Sequence, residues 1–353
     1  MRRGRVYVAL SLILAAGCEG GSGGKGGGAG NDGTGGAPTA GGAAGQNTGP
    51  IFSGGGSDIG IGGAAGDVEH DIVSLRIEPE DAVLDVKVGA AVEQTFSAFA
   101  VFSDAPDREV DITRQVVFYV PDNYLVASFP ADGSNTLTTH VPATSADPAQ
   151  RGGTLTVRAQ AASEDGTIAT ATTSLLVRMG GERLPADPHG PFATPSLPAE
   201  PAAAFTGAAA PARAPELVYP NDGVLLPPNL GRLEVHFKRG AAENTLFEVR
   251  FSSSVTELAY YTRCYAAASD FEPGSCAFFL SGSDLELLAN SNQGVGPVTL
   301  SVRGSDEAGT FGESASFSIE FAEKRMDGAV YYWTASSPPS IMRFDFGSAA
   351  SEP

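Results

Sequence analysis

Residues able to do acid–base, nucleophilic or metal chemistry are scattered along this 353-residue chain, carboxylates being plentiful and histidines and cysteines few. The four histidines are His70, His140, His189 and His236, and none has a second ligand at a spacing such as H-x3-H or C-x2-C, so zinc-type coordination has no local scaffold. Carboxylates gather at Glu78, Glu80 and Asp81 and again at Asp104, Asp107, Glu109 and Asp111. Calcium needs about six to eight converging oxygens, and no D-x-[DN]-x-[DN]-G loop arranges them, so these groups read as solvated turn charges. A serine nucleophile needs an oriented base within reach. Gly20-Gly21-Ser22-Gly23-Gly24 fits G-x-S-x-G, and Gly60-Ile61-Gly62-Gly63-Ala64-Ala65 fits the dinucleotide fingerprint G-x-G-x-x-A. Neither lies between a strand and a helix, and glycine-rich sequence makes both patterns by chance. No catalytic residue, metal or cofactor is therefore expected. The remaining reactive residues are three cysteines: Cys18 at the end of an apolar run, and the close pair Cys264 and Cys276.

The elements around Cys18 give it a role. Arg2, Arg3 and Arg5, the apolar segment from Val6 to Ala16 and the small residues Ala15, Ala16 and Gly17 form the three parts of a secretory signal. The apolar core is too short to span a bilayer as a helix. Leu14-Ala15-Ala16-Gly17-Cys18 resembles the lipobox of bacterial lipoproteins. The resemblance implies a signal peptide over residues 1–17, a Cys18 bearing a thioether-linked diacylglycerol and an amide-linked acyl chain, and a membrane partner reached through that anchor. Several acyl chains at about 0.8 kcal/mol per buried methylene hold durably. Glu19 stands where aspartate retains many lipoproteins at the inner membrane, which points to the outer membrane or cell surface. Outside the cytoplasm, Cys264 and Cys276 are expected to form a disulfide.

Residues 18–66 carry the lipidated cysteine and a disordered tether. From Glu19 to Gly66 there are 22 glycines in 48 residues, too little apolar surface to offset chain entropy. A flexible coil of that length reaches roughly 35 to 42 Å. The formal charge of the chain is -19. Such a field repels polyanions, so nucleic acid is excluded as a partner class.

Order is expected from Asp67. Ile72–Ile77, Ala82–Val86, Glu93–Phe102, Gln115–Val120, Leu125–Phe129, Thr136–His140, Thr154–Ala161 and Thr167–Arg178 read as strands, with Phe96, Ala98, Ala100 and Phe102 alternating onto one face. Asp104-Ala105-Pro106-Asp107, Pro121-Asp122-Asn123, Ala131-Asp132-Gly133 and Glu164-Asp165-Gly166 read as turns. Short strands without helical period indicate a β-sandwich over 67–179. Leu75-Arg76-Ile77-Glu78-Pro79, Gly89, Thr95-Phe96-Ser97-Ala98, Val117-Phe118-Tyr119, Val126-Ala127-Ser128-Phe129 and Gly153-Thr154-Leu155-Thr156-Val157 follow one another as in bacterial Ig-like domains of the second type, which this stretch resembles. The resemblance implies that Phe118 fills the core site where those domains carry tryptophan, and it makes the Val141–Gly152 loop longer than usual.

Proline and alanine dominate 180–215, predicting an extended, stiff spacer. A second β-sandwich is expected over 216–323. Leu233, Val235 and Phe237 alternate with Glu234, His236 and Lys238, Leu246–Phe251 repeats the pattern, and Ser283 to Ala289 suits a helical turn capped by Ser283. This region resembles fibronectin type III or Ig-like domains. Over 324–353, Gly328–Thr334 and Ile341–Phe346 are strand-like runs around Pro338-Pro339, and Tyr332-Trp333-Thr334 is similar to a blade of a YWTD-type β-propeller. One blade cannot close a propeller, leaving either a hairpin or a truncated propeller start.

The fold class expected is thus all-β: two Ig-like or fibronectin-like sandwiches joined by a Pro/Ala-rich spacer behind a signal peptide and a glycine-rich tether. The function expected from it is a non-catalytic, envelope-anchored adhesion, recognition or display module whose partners are cell-surface polysaccharide or protein. The alternative is a set of spacer domains from a secreted enzyme or propeller protein whose C-terminal part is missing.

Overall fold

A computed structural model of the chain describes residues 71–144, 147–164, 166–183, 196–264, 274–334 and 340–346. The leader, Cys18, the tether, His70, His189 and both glycine-rich motifs lie outside these residues.

The first sandwich contains β1 (Ile72–Glu78), β2 (Ala82–Lys87), β3 (Glu93–Thr95), β4 (Ser97–Phe102), β5 (Ala105–Asp111), β6 (Val117–Tyr119), β7 (Ala127–Ser128), β8 (Thr136–Thr139), β9 (Gly153–Ala162) and β10 (Ile168–Arg183). Its sheets are ordered β1-β4-β5 and β3-β8-β7, facing a third that runs β6-β9-β10 with β2 on the far edge of β10. Alternation does the positioning. On β9, Leu155, Val157, Ala159 and Ala161 face inward, and on β10 so do Leu175, Val177 and Met179. Phe118 is buried and meets Phe129 at 5.7 Å between ring centroids, while Phe129 meets Phe96 edge-on at 5.9 Å.

Two local expectations change. The single strand read over Glu93–Phe102 divides at Phe96, because β3 pairs with β8 while β4 pairs with β1, and the chain passes from one sheet to the other. Asn135 spans the break by donating to the Phe96 carbonyl at 2.6 Å. Asp104–Asp107 is not only a turn, since β5 begins at Ala105 and runs antiparallel to β4. β5 is an edge strand, where Pro106 removes no hydrogen bond that an inner neighbour would need.

The second sandwich contains β11 (Glu216–Tyr219), β12 (Val224–Leu226), β13 (Leu233–Lys238), β14 (Leu246–Ser252), β15 (Thr256–Arg263), β16 (Ser275–Leu280), α1 (Gly282–Asn292), β17 (Val298–Ser305), β18 (Phe311–Glu313) and β19 (Phe317–Phe321). One sheet is β11-β13-β16, and the other runs β12-β19-β17-β14-β15 with β18 added on β17. Phe237, Phe247, Phe251, Tyr260 and Phe278 fill the space between them. The helix cap lies two residues earlier than expected: Ser281 and not Ser283 is the cap, its hydroxyl accepting from the Asp284 amide at 3.2 Å, and Leu285 and Leu288 are buried. A separate two-stranded sheet, β20 (Ala329–Thr334) with β21 (Ser340–Asp345), follows.

The two sandwiches share a sheet. β10 pairs antiparallel with β9 from Ile168 to Val177 and parallel with β15 from Met179 to Arg183. β2 holds its opposite edge from Leu175 to Gly180. The edge that β9 leaves at Val177 is therefore taken up by β15, joining ten strands into one sheet. The long loop ahead of β9 seals this junction. The Gly152 amide donates to the buried Ser291 hydroxyl on α1 at 2.9 Å, and Gln150 accepts from the Gly89 amide and donates to the Ala90 carbonyl. A methyl group on Gly152 would lie 2.5 Å from the Val255 carbonyl oxygen, so only glycine allows this approach.

The proline- and alanine-rich segment, expected as an extended spacer, departs from that expectation at both ends. Gly180–Arg183 belong to β10. Residues 196–215 fold back over the outer face of β14, β15 and β17, with short 3-10 turns at Pro201–Phe205 and Pro211–Arg213. Phe205 supplies the reason: it is buried against Leu246, Tyr261 and Phe311, side chains that would otherwise leave the outer sheet face apolar and wet. Beneath this strap the Glu248 carboxylate, 2% exposed, receives Arg303 from the adjacent strand at 2.5 and 2.8 Å. The Arg303 guanidinium lies 4.9 Å from the Phe205 ring and 5.0 Å from the Phe311 ring.

Candidate functional site

Of the residues singled out by their chemistry, most are placed apart. Glu109 and Glu78 both hold Arg76, Asp111 caps the Thr113 amide, and Asp81 accepts from Ser174 at 2.6 Å. These carboxylates serve local structure. Among the described residues no three His, Cys, Asp or Glu side chains gather in a way that would hold a metal ion. Cys264 and Cys276 are bonded to each other, with Cα atoms 4.9 Å apart. The bond ties the end of β15 to β16, and it needs that closeness. Among the described residues no helix is long and apolar enough to cross a membrane.

His236 is the exception. β13 exposes alternate residues, so Glu234 and His236 stand on the outer face of the β11-β13-β16 sheet. The Glu234 carboxylate takes one hydrogen bond from Arg232 at 2.8 Å and sits 3.1 Å from Nε2 of His236. Those two contacts, the His236 hydrogen bond foremost and the Arg232 charge behind it, hold the Glu234 carboxyl below the usual carboxylate range. Tyr219, opposite His236 in the ladder, places its ring 5.4 Å from the imidazole. Partial burial, with Glu234 nearby, pushes the Tyr219 hydroxyl up from its ordinary value. The Arg232 guanidinium lies 5.3 Å from the Phe279 ring on β16.

Phe344 of β21 comes over this face. Tyr219, Leu230, Arg232, Glu234, His236 and Phe344 line an open cleft of about 320 Å³. Such a volume lies at the lower end of small-molecule sites, roughly 300 to 1,000 Å³. No reactive nucleophile lines it. It is lined by two aromatic side chains, an aliphatic side chain and an internally neutralised polar group. The sequence shows His236 without these partners, because Tyr219 and Phe344 are brought in by strand pairing and by the hairpin. The signal present in the sequence was the i, i+2 spacing of Glu234 and His236, which puts both on one face of a strand, with Arg232 just ahead of it.

The hairpin carries a second apolar surface on its outer side. Tyr331 and Trp333 are each 65% exposed and Ile341 59%, with Arg343 across from Tyr331 and 6.0 Å from its ring.

No protein-family model matches this chain, and no curated protein matches it. Among solved structures, a tetra-tandem repeat in the extending region of a large adhesion protein is 16% identical, covering 76% of this chain and 55% of that chain, with a TM-score of 0.21. The titin domains z1z2 in complex with telethonin are 14% identical over 72% of this chain and 99% of that one, with a TM-score of 0.18. A 1.5-MDa bacterial ice-binding adhesin is 13% identical over 78% of this chain and 76% of that one, with a TM-score of 0.21. This chain therefore spans little more than half the length of the adhesion-protein repeat structure. The all-β architecture rests on the strand pairings themselves, and likeness at these TM-scores adds no argument to it.

Proposed function

We propose that this protein is a lipoprotein of the bacterial cell envelope, held through Cys18 at the outer membrane or cell surface, whose fused sandwiches form a non-catalytic recognition module. The observation that carries the module part of this reading is the shared strand β10, whose pairing with β9 and β15 joins the two sandwiches through one sheet. A module so joined behind a glycine tether reaching roughly 35 to 42 Å is suited to presenting a surface away from a membrane. The open cleft under Phe344 lies on the second sandwich, the part farther along the chain from Cys18.

Two measurements test it. Metabolic labelling with a clickable fatty acid is expected to mark the wild-type chain in the envelope fraction and leave Cys18→Ser unlabelled; equal labelling of both overturns the anchor. The soluble Cys18→Ser chain is expected to bind intact cells or isolated envelope polysaccharide above an unrelated acidic sandwich protein. Binding equal to that control overturns the recognition role.

A further inference from the structure

We propose that the cleft between Tyr219 and Phe344 binds one ring of a neutral saccharide. This inference rests on the recognition role above and gives it a ligand class. The cleft combines the two kinds of group a sugar ring needs. A pyranose has an apolar C–H face, which packs on an aromatic ring, and an edge of hydroxyls, which pair with fixed polar groups. Tyr219 and Phe344 supply ring faces, with Leu230 beside them. Tyr219 is 42% exposed despite its contact with His236, so part of its ring is open to a ligand. Arg232 gives one hydrogen bond to Glu234 and keeps its side chain 45% exposed, leaving other N–H groups of the guanidinium for hydroxyl oxygens.

Charge chooses among sugar classes. Both oxygens of Glu234 are engaged, one by Arg232 and one by His236, so no uncompensated carboxylate remains to hold an amine. Arg232 is likewise neutralised by Glu234, and the chain carries a formal charge of -19, which opposes an anionic glycan. A neutral, polyhydroxylated ring satisfies the polar groups without a charge mismatch. The volume of about 320 Å³ admits one ring or little more, with the open side leaving room for the chain of a polysaccharide to continue.

The test uses the full Cys18→Ser chain against a panel of neutral oligosaccharides, made from glucans, xylan, galactan and mannan, with polygalacturonate oligomers as the acidic arm. Binding is read by titration calorimetry and by NMR shift changes. At least one neutral oligosaccharide is expected to bind, and Tyr219→Ala and Arg232→Gln are each expected to weaken it tenfold or more. Trp333→Ala, on the outer side of the hairpin, is expected to leave binding within twofold. Near-UV circular dichroism and the melting temperature check that each variant is folded; Tyr219→Phe, which keeps the ring, is expected to retain most of the affinity. Binding only to the acidic oligomers overturns the proposal, as does neutral binding that Tyr219→Ala does not change. If the chain binds cells but no oligosaccharide of the panel, the cleft assignment fails while the recognition role stands; if it binds neither, both fail.

Discussion

Glu248 on β14 is tied to Arg303 on β17 beneath the strap. Its carboxylate is 2% exposed, held by Arg303 and approached by Arg250 at 3.4 Å. Removing one partner of a buried pair strands the other, at a cost of about 3 to 5 kcal/mol. Glu248→Ala is expected to lose that much in chemical denaturation, and Glu248→Gln, which keeps a hydrogen-bond acceptor, distinctly less. Half-buried pairs behave differently. Glu234 is held below its ordinary titration range by His236 and Arg232, and Glu307 by hydrogen bonds from Arg263 and Thr245. A carboxylate whose folded value is depressed contributes stability above its unfolded value and loses it as pH falls through the folded one. The melting temperature is therefore expected to hold across neutral pH and decline below about pH 4, with Glu234→Gln flattening part of that decline. Residue identity alone made Cys264 and Cys276 legible as a pair. It did not reveal the Tyr219–Phe344 cleft, whose members come from β11, β13, the loop before β13 and β21 and meet only once register is set.

Strands were legible where side chains alternate between core and water, as on β9 and β13, because a period of two survives any context. They were obscured where another term dominated. β5 carries Pro106 and four charged residues, which read as loop until its place on a sheet edge is known. The break at Phe96 comes from a change of sheet, which no local pattern records. The strap over residues 196–215 was hidden by its composition: alanine and proline suggest solvated chain, and one buried aromatic, Phe205, reverses that. Phe205→Ala is expected to cost about 3 to 5 kcal/mol. Hydrogen exchange separates this from a general loss, since amides of 201–214 should lose protection while those of β9 keep theirs. Joining β15 to β16 through Cys264 and Cys276 contributes about 3 kcal/mol by loop-closure entropy, and Cys264→Ser with Cys276→Ser is expected to lower stability by that order.

Across the whole molecule, one hydrophobic core runs from Ile77 in the first sandwich to Phe321 in the second without a gap. Calorimetry on the wild-type chain is expected to show one cooperative transition for both sandwiches. Gly152→Ala, which drives a methyl group against the Val255 and Val177 carbonyls, is expected to split it into two. A single undivided transition in that variant would show that the junction is not what couples them. The pairing at this junction has a mechanical side as well. Met179 to Arg183 lie alongside Thr256 to Tyr260 in parallel register. Tension that drew the first sandwich away along the axis of β10 would load these hydrogen bonds together, in shear, so that none could open ahead of its neighbours. Under such a load the joint between the sandwiches would resist in shear rather than peel open bond by bond.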